Sequence, residues 1–329
     1  MTSAYRNFPV LHADLTGRTV LVVGSNTGIG FEAAKHLARM NPKRLIGTCR
    51  SEEKCKKAEE EIREETGSTA VVCWPLELTS FASIKAFVDR LEQEGDELDI
   101  ALLNAAVQHP DYGVTEDGFE RCVQTNHLGG ALLSYLLLPI LLKTAERTER
   151  LVRLTIVASS VHGLVSFGTD KFPKDQGIIA RLSGTEHSTP ENMGIERYCE
   201  TKLLNVLFAR ALQSHLPASS PIVVSLADPG LCKSNLIRNI DRGQFDERMK
   251  NARTSEEGSR QLILAALSEK GGVDAWRGAF LSNNELTPPS AWVLSDEGKE
   301  AQERIWSETM DISSKADARV VESVKLFTD

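Results

Sequence analysis

Residues Thr19–Met40 read TVLVV, then GSNTGIG, then FEAAKHLARM. Five apolar or β-branched residues in a row predict a strand buried on both faces, as in a parallel sheet. Gly24, Gly28 and Gly30 follow at once and turn the backbone sharply. Behind them Phe31, Ala34, Leu37 and Ala38 recur at helical spacing. Strand, glycine turn and helix form the start of a nucleotide-binding unit. Missing side chains let a pyrophosphate approach the backbone, and the helix N-terminus offers unpaired N–H groups and a positive dipole end. The spacing is GxxxGxG, not the commoner GxGxxG. Glycines alone would say only that a loop needs positive φ; their place between strand and helix points to a dinucleotide.

The pattern repeats along the chain. Short apolar strands are predicted at Arg44–Thr48, Thr69–Leu76, Leu98–Leu103, Leu151–Ala158 and Ile222–Ala227. Helices fall between them: a charged one at Ser51–Glu65, one capped by Thr79 or Ser80 and running through Leu91, one within Gly118–Thr144, and a long one at Tyr198–Leu216. Alternation of this kind predicts an α/β fold, a doubly wound parallel sheet of Rossmann type. Right-handed crossovers place the ligand crevice at the strands' carboxyl ends. A capping box, Thr254-x-x-Glu257, starts a helix to about Ser268, and a last helix spans about Ser295–Met310. No Pro- or Gly-rich linker breaks the chain, so residues 1–329 read as one domain.

Composition narrows the function classes. The 329 residues carry a net charge of −8 and a pI near 5.5, which gives no support for nucleic-acid binding. The N-terminus shows no apolar signal core, so a cytoplasmic protein is expected. The apolar run Leu128–Leu142 reads as a buried helix too short to span a bilayer. Six cysteines form no CxxC pair, which suits reduced thiols, and seven scattered histidines predict no metal site.

The candidate chemistry sits at strand ends. Asn104 closes the fourth strand in LLNAAV, Ser159 and Ser160 follow the fifth, and Asp228, Pro229 and Gly230 end the sixth. Asn126 lies on the helix after the fourth strand, in TNHLGG. Tyr198 and Lys202, four apart in YCETK, share one helical face. Each has a bland reading alone; the order in which they occur does not.

With these motifs the chain resembles the short-chain dehydrogenase/reductase family, particularly its retinol-dehydrogenase-like and fungal branches. The resemblance covers roughly Asp14–Met310. VVGSNTGIG resembles the family's cofactor loop, which implies contacts from Gly24, Asn26, Thr27, Gly28, Ile29 and Gly30. Asn104 and Ala105 resemble its NAG motif, and Glu77 with Leu78 stands where the adenine is held. Asn126, Ser160, Tyr198 and Lys202 match its catalytic tetrad. DPGLCKS resembles its PG segment, which implies cofactor contacts from Pro229, Gly230 and Ser234. Val23, Leu103, Ala106 and Glu77 depart from the usual residues, at strand packing and adenosine binding rather than at the chemistry.

The resemblance implies a mechanism. Tyr198 protonates a carbonyl oxygen as the cofactor delivers hydride. Lys202 lowers the phenol's pKa and grips the nicotinamide ribose. Ser160 orients the carbonyl, and Asn126 holds a water that links Lys202 to solvent. At the end of the second strand Cys49 and Arg50 stand where an acidic residue would read the 2′-hydroxyl of NAD. Arg50 can fork onto a 2′-phosphate, so NADP(H) is expected. The implied partner is a small-molecule substrate, with a homo-oligomer open.

The connection from Ser160 to Tyr198 is long. Within residues 163–197, Phe167, Phe172, Ile178, Ile179, Leu182 and Met193 have two readings, a substrate pocket or the anchor of an inserted segment. His187 in this loop is expected to be solvated. A second substrate-proximal lid is expected at residues 236–250. The function expected is NADPH-dependent reduction of a ketone on a medium to large apolar molecule. Rival readings are an olefin- or quinone-reducing relative and a non-catalytic NADP sensor. A hydrolase is disfavoured for want of a GxSxG elbow.

Overall fold

The computed structural model describes residues 8–95, 97–237 and 249–326. Its centre is β1 (Thr19–Val23), every residue of which is buried. Successive side chains point to opposite faces of a strand. Val20 and Val22 therefore enter one apolar layer, with Ala33, Ala34 and Leu37. Leu21 and Val23 enter the other, with Leu128, Leu132 and Leu203. The sheet is buried on both faces, which explains why its strands read as unbroken apolar runs.

The remaining strands are β2 (Arg44–Cys49), β3 (Val71–Pro75), β4 (Ile100–Leu103), β5 (Val152–Val157), β6 (Ile222–Asp228), β7 (Phe280–Ser282) and β8 (Glu285–Thr287). Their order is β3-β2-β1-β4-β5-β6-β7-β8. The chain starts at the centre, winds out to β3, returns to β4 beside β1 and winds out the other way. The expected doubly wound sheet is present. It is wider than the sequence suggested, by β7 and by β8, which pairs antiparallel to β7.

Helices α1 (Gly28–Ala38), α2 (Glu52–Thr66), α3 (Phe81–Gln93), α4 (Gly129–Thr148), α5 (Ile178–Ser183), α6 (Ile195–His215), α7 (Ser255–Leu267), α8 (Asp296–Ala316) and α9 (Arg319–Lys325) flank the sheet. Ser80 is the cap of α3, accepting from the backbone N–H of Ser83. The capping box at Thr254 forms in full. α4 continues from a π-helical turn, Gln124–Leu128, after a short turn Arg121–Val123. The whole run Arg121–Thr148 is long and apolar enough to cross a membrane, so its length does not exclude a span. Its burial does the explaining: 78% of the apolar window lies inside the fold, as in a core helix.

The long connection into α6 is packed, not open. Phe167, Phe172, Ile178, Ile179 and Leu182 are buried within the main apolar cluster, and Met193 is buried too. α8 holds the segment down. Glu308 accepts the backbone N–H groups of Ile178 and Ile179, at 2.7 and 2.8 Å. Arg304 donates to the carbonyls of Phe172, Pro173 and Gln176. Of the two readings for these apolar residues, the anchoring one describes where they lie. The second expected lid, 236–250, falls mostly outside the described residues.

Candidate active site

The sheet order reverses between β1 and β4, so the crevice opens where their carboxyl ends diverge. Gly24 and Asn104 meet there. The Asn104 side-chain amide donates to the Gly24 carbonyl at 3.0 Å, and the Gly24 N–H donates to Thr48 Oγ1. A Cβ on Gly30 would sit 2.1 Å from the Gly24 carbonyl oxygen, so only glycine lets α1 start so close to the turn. Thr27 is the N-cap of α1 with no side-chain cap bond, which leaves the helix's first N–H groups unclaimed by a cap. Gly28 has φ +63°, and a Cβ there would project toward Ser234 and Ser255, 3.7 and 3.9 Å away. Bare backbone, open N–H groups and a space that a side chain would fill are what a pyrophosphate needs, so these residues fit a dinucleotide.

Around that cradle, Asn26 and Ile29 are half-buried and Thr27 is exposed. Thr27 Oγ1 accepts from Asn235 at 3.2 Å, so the segment after β6 reaches the glycine turn. Arg50 is exposed just past the end of β2. Glu77 accepts from the Thr79 N–H and Leu78 is buried against Gly129. Ala105 donates its N–H to the Val23 carbonyl. Pro229 and Gly230 follow β6; Gly230 takes φ +74° and donates to Asp228. Ser234 is half-buried just beyond.

The tetrad candidates come from three elements. Ser160 opens a 3-10 turn directly after β5 and is exposed, whereas the Ser159 hydroxyl is turned back onto the Val161 N–H. Tyr198 lies in the first turns of α6, and Lys202 lies one turn further on with its ammonium 5.5 Å from the Tyr198 ring centroid. Lys202 is buried and donates to the Val157 carbonyl at 2.8 Å. Asn126 sits in the π-helical turn. Its side chain accepts from the Val107 N–H and donates to the Val107 carbonyl and to Thr201 Oγ1. Thr201 in turn donates to the Tyr198 carbonyl.

The Asn126 amide gives both its donors to scaffolding, so the side chain ties the loop after β4 to α6. One expectation differs here. Burial pushes the Tyr198 phenol up, with Asp228 adding to the rise; the expected lowering by Lys202 does not appear. Burial also pushes Lys202 down to about 8, against the pull of Asp228. In an apolar setting both groups resist charging.

Comparison with known proteins places the chain in a family. Residues 18–172 match the short chain dehydrogenase family. The chain is 40% identical over 273 residues to "Short chain dehydrogenase sol3" of Alternaria solani, covering 83% of this chain and 91% of that one. It is 32% identical over 308 residues to "Short chain dehydrogenase/reductase dmxR8" of Cryptosporiopsis sp., covering 92% and 93%. The chain belongs to the short-chain dehydrogenase/reductase family. It sits with that family's fungal members and is an oxidoreductase by kinship. Two solved structures share its fold. A 3-ketoacyl-(acyl-carrier-protein) reductase of Brucella melitensis, complexed with NADH, has TM-score 0.60 and 19% identity over 82% of this chain and 97% of that one. RhlG of Pseudomonas aeruginosa, complexed with NADP, has TM-score 0.62 and 22% identity over 82% and 95%. Proteins of this fold are thus seen with either dinucleotide.

Asp228, singled out in the sequence only as the end of a strand, is buried, accepts from Ser282 Oγ and acts electrostatically on both Tyr198 and Lys202. Sequence reasoning missed several residues around it. His162 is buried beside the Ser160 turn; its Nδ1–H donates to the Ser159 carbonyl and its Nε2 accepts from Ser290. Arg253 donates to the Pro229 carbonyl and Asn283 Oδ1, holding the PG turn. His187, expected in solvent, is buried and bonded to Glu200 at 2.7 Å. No local pattern marks Arg253 or His187, because each works through partners distant in sequence. A cavity of about 310 Å³, lined by Leu164, Val165, Phe172, Glu196 and Trp292 among others, opens nearby. Glu196 lies roughly half a helical turn round from Tyr198, so this hollow is on the other side of α6.

Proposed function

We propose that the protein is an NADPH-dependent carbonyl reductase that converts a ketone on a medium to large, mainly apolar molecule, of the secondary-metabolite kind, to a secondary alcohol. The observation that carries this reading is the pairing of Tyr198 and Lys202 on one face of α6, the ammonium 5.5 Å from the phenol ring centroid, with Ser160 exposed at the turn after β5. A phenol so placed can donate to a developing alkoxide, and its pKa, raised from the ordinary value by desolvation, agrees with a proton donor.

The remaining residues fit around that donor. When bound, the reduced nicotinamide supplies the hydride. Ser160, exposed at the mouth of the crevice, donates a hydrogen bond to the carbonyl oxygen and orients it. Lys202, fixed by the Val157 carbonyl and still largely cationic at pH 7, attracts negative charge on the Tyr198 oxygen after proton transfer. Asn126 holds the loop after β4 against α6. Gly24, Asn26, Thr27, Gly28, Ile29 and Gly30 would hold the pyrophosphate, and the Ser234 hydroxyl would contact the nicotinamide amide. Glu77 and Leu78 border the adenine, and Asn104, Ala105, Pro229 and Gly230 border the nicotinamide side. Arg50, exposed and without a partner among the described residues, reads the 2′-phosphate. Two exposed apolar residues lie close in sequence to the chemistry: Ile195 ahead of Tyr198 and Leu231 beyond Gly230. Apolar residues so placed suit an apolar substrate.

The test is a panel of ketones, quinones and enones assayed for oxidation of NADPH and NADH. The reading expects turnover with NADPH and bulky ketones ahead of small polar ones. Turnover confined to quinones or enones, or equal use of NADH, would overturn the part concerned.

A further inference from the structure

We propose that Arg197, through a buried ion-pair network with Glu120, Glu200 and His187, is a positioning residue for Tyr198; this rests on Tyr198 being the proton donor. Arg197 precedes Tyr198 and its side chain is fully buried. It forms ion pairs with Glu120 at 2.9 Å and with Glu200 at 3.0 Å, and its guanidinium also donates to Ser188 Oγ at 3.3 Å. The other Glu200 oxygen holds His187. Glu120 is itself fully buried and accepts the N–H groups of Cys122 and Val123, at the turn that leads into Asn126.

One planar guanidinium therefore links three elements: it hydrogen-bonds Glu200 on α6 and Ser188 in the inserted segment, and pairs by charge with Glu120 at the start of the Asn126 turn. The place matters because α6 begins without help. Its N-cap is Gly194, with φ +71° and no side-chain cap bond. An uncapped first turn frays or tilts readily, and Tyr198 sits at its end. Arg197 supplies from the side what the cap does not.

Stability is a poor reason for such a network. Burying an arginine and two carboxylates costs several kcal/mol per ion in lost hydration, and well-packed neutral residues often do as well or better. What neutral residues do not reproduce is a rigid fork with fixed partners on three elements. The proton donor of a reductase must be placed to within a fraction of an ångström, and a misplacement of about 1 Å can cost about a hundredfold in rate.

The test separates placement from stability with the variant Arg197→Met/Glu120→Gln/Glu200→Gln, which removes all three charges and keeps volume and the capping oxygen. Its melting temperature is expected at or above wild type. Its kcat is expected to fall tenfold to a hundredfold, on the order that misplacement of a catalytic group produces. NADPH affinity, read by fluorescence titration, stays within about threefold of wild type, and the solvent isotope effect on kcat rises as proton transfer becomes slower. Amide exchange over residues 195–199, measured without substrate, quickens. A folded triple variant with wild-type kcat, isotope effect and exchange overturns the proposal. If the triple variant does not fold, Arg197→Lys serves instead: it keeps the charge and loses the fork, so the same kinetic losses are expected and unchanged kcat overturns the proposal. Full activity of Tyr198→Phe would instead sink the reading of Tyr198 on which this rests. A dead Tyr198→Phe beside full-speed Arg197 variants would sink the network alone.

Discussion

Lys202 carries a cost that its function explains. Its folded pKa of about 8 lies below the ordinary 10.5, so folding disfavours its charged form. Between those two values the unfolded chain binds more protons, so stability rises with pH across that window. Below pH 8 the full penalty remains. Lys202→Met should therefore raise stability at pH 7, by roughly 1–3 kcal/mol after allowing for the lost bond to the Val157 carbonyl. The gain should fade between pH 8 and 10.5 while turnover is lost at every pH. Urea unfolding across that range checks it; a variant less stable than wild type at pH 7 contradicts the account. Arg50 sits at the same scale. Arg50→Ala should weaken NADPH by about 1.5–3 kcal/mol and leave NADH nearly unchanged, as expected for one charge-assisted contact to phosphate. Equal loss for both nucleotides would remove Arg50 from that role.

Among the elements, α8 decides what the inserted segment is. Phe167, Phe172, Ile178, Ile179 and Leu182 follow no strand or helix period, so their burial could not be read from spacing. What buries them is a helix more than a hundred residues downstream, through Glu308 and Arg304. Glu308→Ala should cost about 1–3 kcal/mol, since two buried N–H groups lose their acceptor. Hydrogen exchange should quicken at residues 177–183 and stay unchanged in the central strands; no change at 177–183 would mean that packing alone holds the segment. The ion pairs of Arg197 were equally illegible, since Glu120, Glu200 and Arg197 look like ordinary surface charges along the chain. By contrast β1, the glycine turn and α1 could be read at once, because they act on their own neighbours. The two short strands after α7 have three residues each, too few to show a period.

At the scale of the whole molecule, the fold joins its two halves across buried polar contacts as well as the sheet. His127, in the π-helical turn, is fully buried against Phe208, and its Nε2 meets Thr309 of α8 at 3.0 Å. Burial pushes His127 down to about 4. The folded chain thus binds fewer protons than the unfolded one between about pH 4 and 6.5, and stability falls as pH drops through that window. The loss reaches about 3 kcal/mol. Thermal melts of His127→Gln should lack this fall, so wild type should lose about 3 kcal/mol relative to the variant between pH 6.5 and 4; parallel curves would show that His127 does not titrate on unfolding. The central claim is that this architecture brings a protonated Tyr198 to a carbonyl at the crevice mouth. It is tested most directly by comparing wild type and Tyr198→Phe in two measurements on one preparation, NADPH affinity by fluorescence titration and single-turnover reduction of the best ketone in the panel. The account predicts unchanged affinity and a rate lower by at least a hundredfold, on the scale of general acid catalysis. A variant that binds NADPH and reduces the ketone at close to the wild-type rate would contradict it.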